Sequence, residues 1–193
     1  MMTSVLNWTA FLGWVAVACW TAATWSEPAG PSARLLQLTL LCELISGSET
    51  IKIALGLLRG DLALSFTVHY TRFLMYFVTL PHAEISDTVS RLILLAWSLT
   101  EVFRYPMVLF PNTVPLRTIR YAAPLITFPM GAGTEAYAAY RVLLVSDSVA
   151  WKAILGLVVV INLVGGLIWY PGMCRKVTKS LSGSMKPLEK KAE

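Results

Sequence analysis

The run Ala150–Tyr170, AWKAILGLVVVINLVGGLIWY, decides the class of this chain. It is apolar over about the 20 residues that a helix needs to cross the hydrocarbon core of a bilayer. It is the cleanest of six such windows. Toward the N-terminus, the loop Ser146-Asp147-Ser148 separates it from a fifth window, Leu116 to about Tyr140. The segment Pro111–Pro115 divides that window from a fourth, about Val89 to Phe110. Pro81–Asp87 closes a third, about Leu62 to Leu80, and the turn Arg59-Gly60-Asp61 closes a second, about Leu35 to Leu58. The proline- and glycine-bearing loop Ser26–Arg34 ends the first, about Val5 to Thr24.

Composition agrees. Soluble domains are about half apolar and about a quarter charged. This chain is 56% apolar and 14% charged, with mean hydropathy +0.63. The expected fold class is all-α, a polytopic membrane protein built as a six-transmembrane-helix bundle. The alternating ten-residue segments of a membrane β-barrel are not evident. The first window has no basic residue ahead of it, which speaks against a cleaved signal peptide.

The net charge of +5 is concentrated at one end. From Gly172 onward, Arg175, Lys176, Lys179, Lys186, Lys190 and Lys191 face Glu189 and Glu193, a balance of +4. A nearly neutral body argues against nucleic acid as a partner. The expected organisation is one membrane domain, residues 1–171, and a basic cytosolic tail, residues 172–193. Six crossings place both termini on one side, and the basic tail makes that side cytosolic. The tail could also touch anionic lipid headgroups. Cys19, Cys42 and Cys174 show no metal-ligand or redox spacing, so no metal is expected.

The chemistry lies in the polar residues within the windows. Glu135 closes the stretch Leu116–Glu135, LRTIRYAAPLITFPMGAGTE. A carboxyl inside a membrane segment is costly and therefore a functional candidate. The run Pro129–Gly133 predicts a kink or unwound turn just ahead of it. Tyr121, Phe128 and Glu135 are spaced by seven, close to one face of an ideal helix. The same spacing would also suit a helix–helix seam. Glu101 and Arg104 share a helix face, with Tyr105 beside them. They read either as an ion pair locking two helices or as groups that orient a ligand. Glu49 and Lys52 read as a structural pair, or Lys52 as a residue snorkelling to the interface. His69 reads as a satisfied interior histidine. Arg72 suits helix packing or a phosphate contact.

These landmarks resemble the very-long-chain (3R)-3-hydroxyacyl-CoA dehydratases, also called the protein tyrosine phosphatase-like A family. Asn7 through Gly13-Trp14 resembles its N-terminal motif. Glu49, Gly56, Arg59 and Arg72 follow its second and third helices. Trp97-Ser98-Leu99-Thr100-Glu101-Val102-Phe103-Arg104-Tyr105 is similar to its Trp-Ser-x-Thr-Glu-x-x-Arg-Tyr signature. Leu116-Arg117, Ile119-Arg120-Tyr121 and Pro129-x-Gly131-x-x-x-Glu135 resemble its fifth helix.

The resemblance implies a multi-pass protein of the endoplasmic reticulum membrane and the third step of fatty-acid elongation. In that step a (3R)-3-hydroxyacyl-CoA loses water to give a trans-2-enoyl-CoA. It implies a long or very-long-chain acyl-CoA substrate, other elongation-cycle enzymes as partners, and no cofactor. It also implies a catalytic tyrosine–glutamate pair. The glutamate maps onto Glu135; the tyrosine position holds Phe128. A phenol from elsewhere would then act, Tyr121 first and Tyr105 or Tyr137 as alternatives, or Glu135 would make both proton transfers with a water. Arg104 and Arg120 are candidates for holding the thioester region or the glutamate, Tyr105 for binding substrate, and Arg59 and Arg117 for the CoA phosphates. The alternative is a non-catalytic membrane scaffold of the elongation complex. Phosphatase activity is excluded, because no Cys-x5-Arg phosphate loop exists in the sequence. Lys190 and Lys191, fourth and third from the end, resemble a dilysine retrieval signal.

Overall fold

The structure, a computed structural model, describes residues 2–58, 60–110 and 113–182. Within them it is entirely helical, with no strand. The helices are α1 (Met2–Ala23), α2 (Ala33–Ala54), α3 (Leu62–Leu74), α4 (Asp87–Leu109), α5 (Val114–Ala122), α6 (Pro124–Val145) and α7 (Val149–Leu181). A π-helical turn, Met75–Thr79, continues α3. Side chains start the helices where the loops end: Ser32, Asp61, Ser86 and Ser148 each accept a bond from a first-turn amide. Such caps satisfy donors that a helix N-terminus leaves unpaired.

Helices α1, α4 and α7 are long and apolar enough to cross a membrane. Helices α2, α3 and α6 carry ionisable groups among their apolar residues, and most of these turn inward. Helix α4 lies against α1, α5 and α6. Helix α6 packs on α7 and on the π turn, while α2 bridges α1 and α3. The core gathers Trp14 and Val17 of α1, Ile93, Leu94 and Trp97 of α4, Ala138 and Ala139 of α6, and Leu155 and Val158 of α7.

Two glycines permit close helix crossings. A Cβ on Gly13 would lie 2.5 Å from Cys42 Sγ, so α1 and α2 approach through that position. A Cβ on Gly131 would lie 3.4 Å from the Ala96 Cβ, where α4 meets α6. Small residues let membrane helices approach at such points. Thr100 donates to Thr127 at 2.9 Å one turn away and ties the same pair.

Contacts at the ends order the bundle. Trp8 of α1 stands edge-on to Phe110 with centroids 6.0 Å apart. Thr118 of α5 bonds Ser180 of α7 at 2.7 Å. The start of α1, the turn from α4 to α5 and the end of α7 therefore share one end. At the other end, Arg91 donates to the carbonyls of Trp25, Glu27 and Ala29 and fixes the α1–α2 loop.

Two sequence expectations change here. The interruption of the fifth window falls at Ala123–Pro124, not at Pro129–Gly133, which lies within α6. Pro124 lacks the N–H that would continue the ladder, whereas Pro129 is accommodated inside α6. Helix α7 runs past residue 171 to Leu181 with Pro171 inside it, so the expected start of the tail lies within a helix. Arg59, Lys190 and Lys191 lie outside the described residues.

Candidate active site

Helices α2, α3 and α4 bring five ionisable residues and one histidine into a continuous buried ladder. Arg72 Nη1 donates to Glu43 Oε2 at 3.1 Å and to Glu101 Oε1 at 2.9 Å. Arg104 Nε donates to Glu101 Oε2 at 2.5 Å, and Arg104 Nη1 pairs with Glu49. His69 Nδ1 meets the free oxygen of Glu43. The order His69–Glu43–Arg72–Glu101–Arg104–Glu49 alternates in polarity, so every carboxylate touches a cationic or protonatable neighbour. Three carboxylates face two guanidiniums, and the His69–Glu43 contact offers a place for the balancing proton.

Aromatic faces enclose this ladder. The Arg72 guanidinium stands 6.0 Å from the Trp14 ring centre and 5.7 Å from that of Trp97. Arg104 lies over Tyr105 at 4.4 Å. Trp14 Nε1 donates to Ser46 Oγ at 3.0 Å, and Ser46 Oγ bonds the Tyr105 hydroxyl at 3.0 Å. Tyr105 is fully buried. Arg72 precedes the π turn, a geometry often found beside functional positions.

Glu135 is held differently. It is 6% exposed, on the face of α6 that meets α4. Trp97 Nε1 donates to its Oε1 at 2.6 Å. Asn162 of α7 stands near it, and its amide donates to the Val158 carbonyl at 3.1 Å. No ion pair among the described residues includes Glu135; Arg72 acts on it only through space. Trp97 thus separates the two systems, with its ring toward Arg72 and its N–H on Glu135. Gly131, one turn before Glu135, leaves the carboxyl room beside Ala96.

The remaining candidates divide. Tyr121 lies on α5, across the Ala123–Pro124 break from Glu135 on α6. No hydrogen bond among the described residues joins the two, and the break removes the single helical face that the seven-residue spacing assumed. Tyr137 is 48% exposed and accepts from Arg141, facing away. The Tyr105 hydroxyl is occupied by Ser46. Among the described residues, the hydrogen-bond partner of Glu135 is an indole, with an amide nearby; neither is a phenol. Arg104 is committed to Glu49 and Glu101, and Glu49 pairs with it rather than with Lys52, because the long Arg104 side chain reaches it from α4. Arg120, on α5, enters no ion pair among the described residues. An open apolar groove of about 680 Å³ between α2 and α3, lined by residues such as Ile51, Leu62 and Phe66, does not include Glu135.

Sequence reasoning missed Trp97 and Asn162 as the neighbours of Glu135. A signal for Asn162 existed: one amide stands alone within the apolar run Val158–Val164.

Apolar helices that turn their charges inward, with a carboxyl at the centre of the packing, define a helical membrane protein with a polar interior. A family model described as Protein tyrosine phosphatase-like protein, PTPLA, matches residues 43–183. The chain belongs to that family, which is the family of very-long-chain 3-hydroxyacyl-CoA dehydratases. The match takes in the ladder and Glu135 and begins within α2. No curated protein and no solved structure matches the chain.

Proposed function

We propose that the chain is a 3-hydroxyacyl-CoA dehydratase, a hydro-lyase of the fatty-acid elongation cycle, with Glu135 as its acid–base group. One observation carries this reading. Glu135 is a buried carboxyl held by a neutral donor, whereas the carboxylates of the ladder are all matched to cationic or protonatable partners. A carboxyl without a committed counter-ion can move between its two protonation states, as acid–base catalysis requires.

The chemistry fits one carboxyl acting twice. The α-proton of a 3-hydroxyacyl thioester passes to a Glu135 oxygen, and its electron pair is held as the thioester enolate. The protonated carboxyl, directly or through a water, then gives a proton to the C3 hydroxyl; as the C3–O bond breaks and water leaves, the enolate pair forms the C2–C3 double bond. Trp97 N–H steadies the carboxylate that accepts the first proton and that the second transfer restores. Phe128, one seven-residue step earlier, contributes a half-buried apolar surface where the family motif has a phenol.

The same reading takes the six windows as six crossings, with α5 and α6 together forming the fifth. It places both termini in the cytosol and the protein in the endoplasmic reticulum membrane, beside other elongation-cycle enzymes. The charge distribution supports this orientation. Lys52, Arg104, Arg120, Arg175, Lys176 and Lys179 gather toward the end where α1 begins and α7 finishes. Positive residues mark the cytosolic side of a membrane protein.

Phe128 favours a second reading, a non-catalytic member retained as a scaffold. Purified wild type, Glu135→Gln and Phe128→Tyr, assayed on 3-hydroxyacyl-CoA, separate the two. Turnover by wild type that disappears in Glu135→Gln supports the enzyme. An inert wild type that gains turnover in Phe128→Tyr supports the scaffold. Turnover untouched by Glu135→Gln removes Glu135 from the mechanism.

A further inference from the structure

Arg120 stands apart from Arg72, Arg91 and Arg104. Arg72 has two carboxylates and Arg104 has two. Arg91 has three carbonyls. Arg120 has no ion pair among the described residues, and its buried Nε has no hydrogen-bond partner. One nitrogen of Arg104, Nη2, is buried and unpartnered as well. The two guanidiniums are close enough to act on each other, with Glu49, Glu101 and Tyr121 as the other ionisable neighbours of Arg120. Glu49 and Glu101 are already engaged by Arg104. Arg120 as a whole is half-buried, and its inner nitrogen, removed from water without a partner, carries an uncompensated desolvation cost.

A missing anion accounts for this arrangement. A guanidinium presents a planar fork of donors that suits phosphate oxygens. Arg120 also stands on the helix that precedes the one carrying the reacting group. Fifteen residues separate it from Glu135, which would set the two Cα atoms about 22 Å apart at most, were α5 and α6 one straight helix. That span is of the same order as an extended phosphopantetheine arm, which joins a thioester to a diphosphate. Arg120 further lies on α5, whose neighbour is the basic end of α7.

We propose that Arg120, with Arg104 Nη2 beside it, binds a phosphate group, and that the diphosphate of an acyl-CoA is its ligand while the thioester lies at Glu135. This rests on the reading of the substrate as a CoA thioester. It moves Arg120 from the thioester region to the far end of the substrate. A phosphate could also come from an anionic lipid headgroup, so the two sources are tested apart.

The test is a binding measurement, independent of turnover. Wild type, Arg120→Gln and Arg120→Lys are placed in phosphatidylcholine nanodiscs, with and without phosphatidylserine, and titrated with CoA and with pantetheine. The expected result is CoA binding by wild type that weakens at least tenfold in Arg120→Gln. It recovers in part in Arg120→Lys and is unchanged by phosphatidylserine. Pantetheine, which lacks the diphosphate, should bind weakly and equally to all three. CoA binding that is absent in wild type, or unchanged in Arg120→Gln, overturns the proposal. Displacement of CoA by phosphatidylserine overturns it in favour of a lipid headgroup. Equal melting temperatures for the three proteins separate lost binding from lost folding. Because the readout is affinity, an inactive wild type that still binds CoA through Arg120 would refute the dehydratase reading and leave this one standing.

Discussion

Two kinds of carboxyl lie within one turn or two of each other in this bundle, and their surroundings differ in kind. Glu43, Glu49 and Glu101 meet guanidiniums or a histidine, and together they join α2, α3 and α4. Glu135 meets an indole on α4 and lies near an amide on α7. The first group sits in a linear chain of alternating charge. The second is buried yet uncommitted. A membrane protein that needs ionisable groups both for assembly and for chemistry can separate the tasks in this way, by matching some and leaving one to a neutral donor.

Substitutions should therefore divide along the same line. The largest effect is expected from Glu135→Gln, which keeps the shape and the indole contact but cannot exchange a proton. Turnover of 3-hydroxyacyl-CoA should fall by about 10²–10⁴-fold, the usual share of an acid–base group, with little change in melting temperature. Arg72→Met should do the reverse. It leaves Glu43 and one oxygen of Glu101 buried without a cation, a loss of about 3–5 kcal/mol for such a pair, visible as a large drop in melting temperature. If Arg72→Met melts like wild type, the ladder is not what holds α2, α3 and α4 together.

Trp97→Phe tests the wall between the two systems. The ring face toward Arg72 remains, while the N–H on Glu135 disappears. A bond to an ionisable group contributes about 1.5–3 kcal/mol, so activity should fall by roughly tenfold or more with only a modest change in stability. A stability loss as large as that of Arg72→Met would place Trp97 with the ladder instead. Thr100→Val is expected to be the mildest. It removes one neutral bond between α4 and α6, about 1 kcal/mol, and should lower melting slightly while Glu135 keeps working.

The membrane class, the helical windows and Glu135 as the candidate carboxyl were legible in the chain. Each rests on a one-dimensional quantity: the length of an apolar run, the position of a turn, the presence of a charge where charge is expensive. The location of the break in the fifth window was not. Pro124, Pro129 and the glycines all carry breaking chemistry, and which of them interrupts the helix depends on what packs around them. Glu49 illustrates the same limit. Lys52 is its neighbour by spacing, but Arg104, far along the chain, is its neighbour in space. Tyr121 shows the converse: it keeps the seven-residue spacing in sequence, but the break at Ala123–Pro124 puts it on a different helix from Glu135.

Hydropathy and the order of polar landmarks settled that this is a helical membrane protein of the PTPLA family, because burial in lipid constrains each segment by itself. Only the packed structure decided which charges neutralise one another and which remain open. Ion pairing acts across helices at a few ångströms, and no local pattern records the distance between Trp97 and Glu135 or the absence of a carboxylate at Arg120.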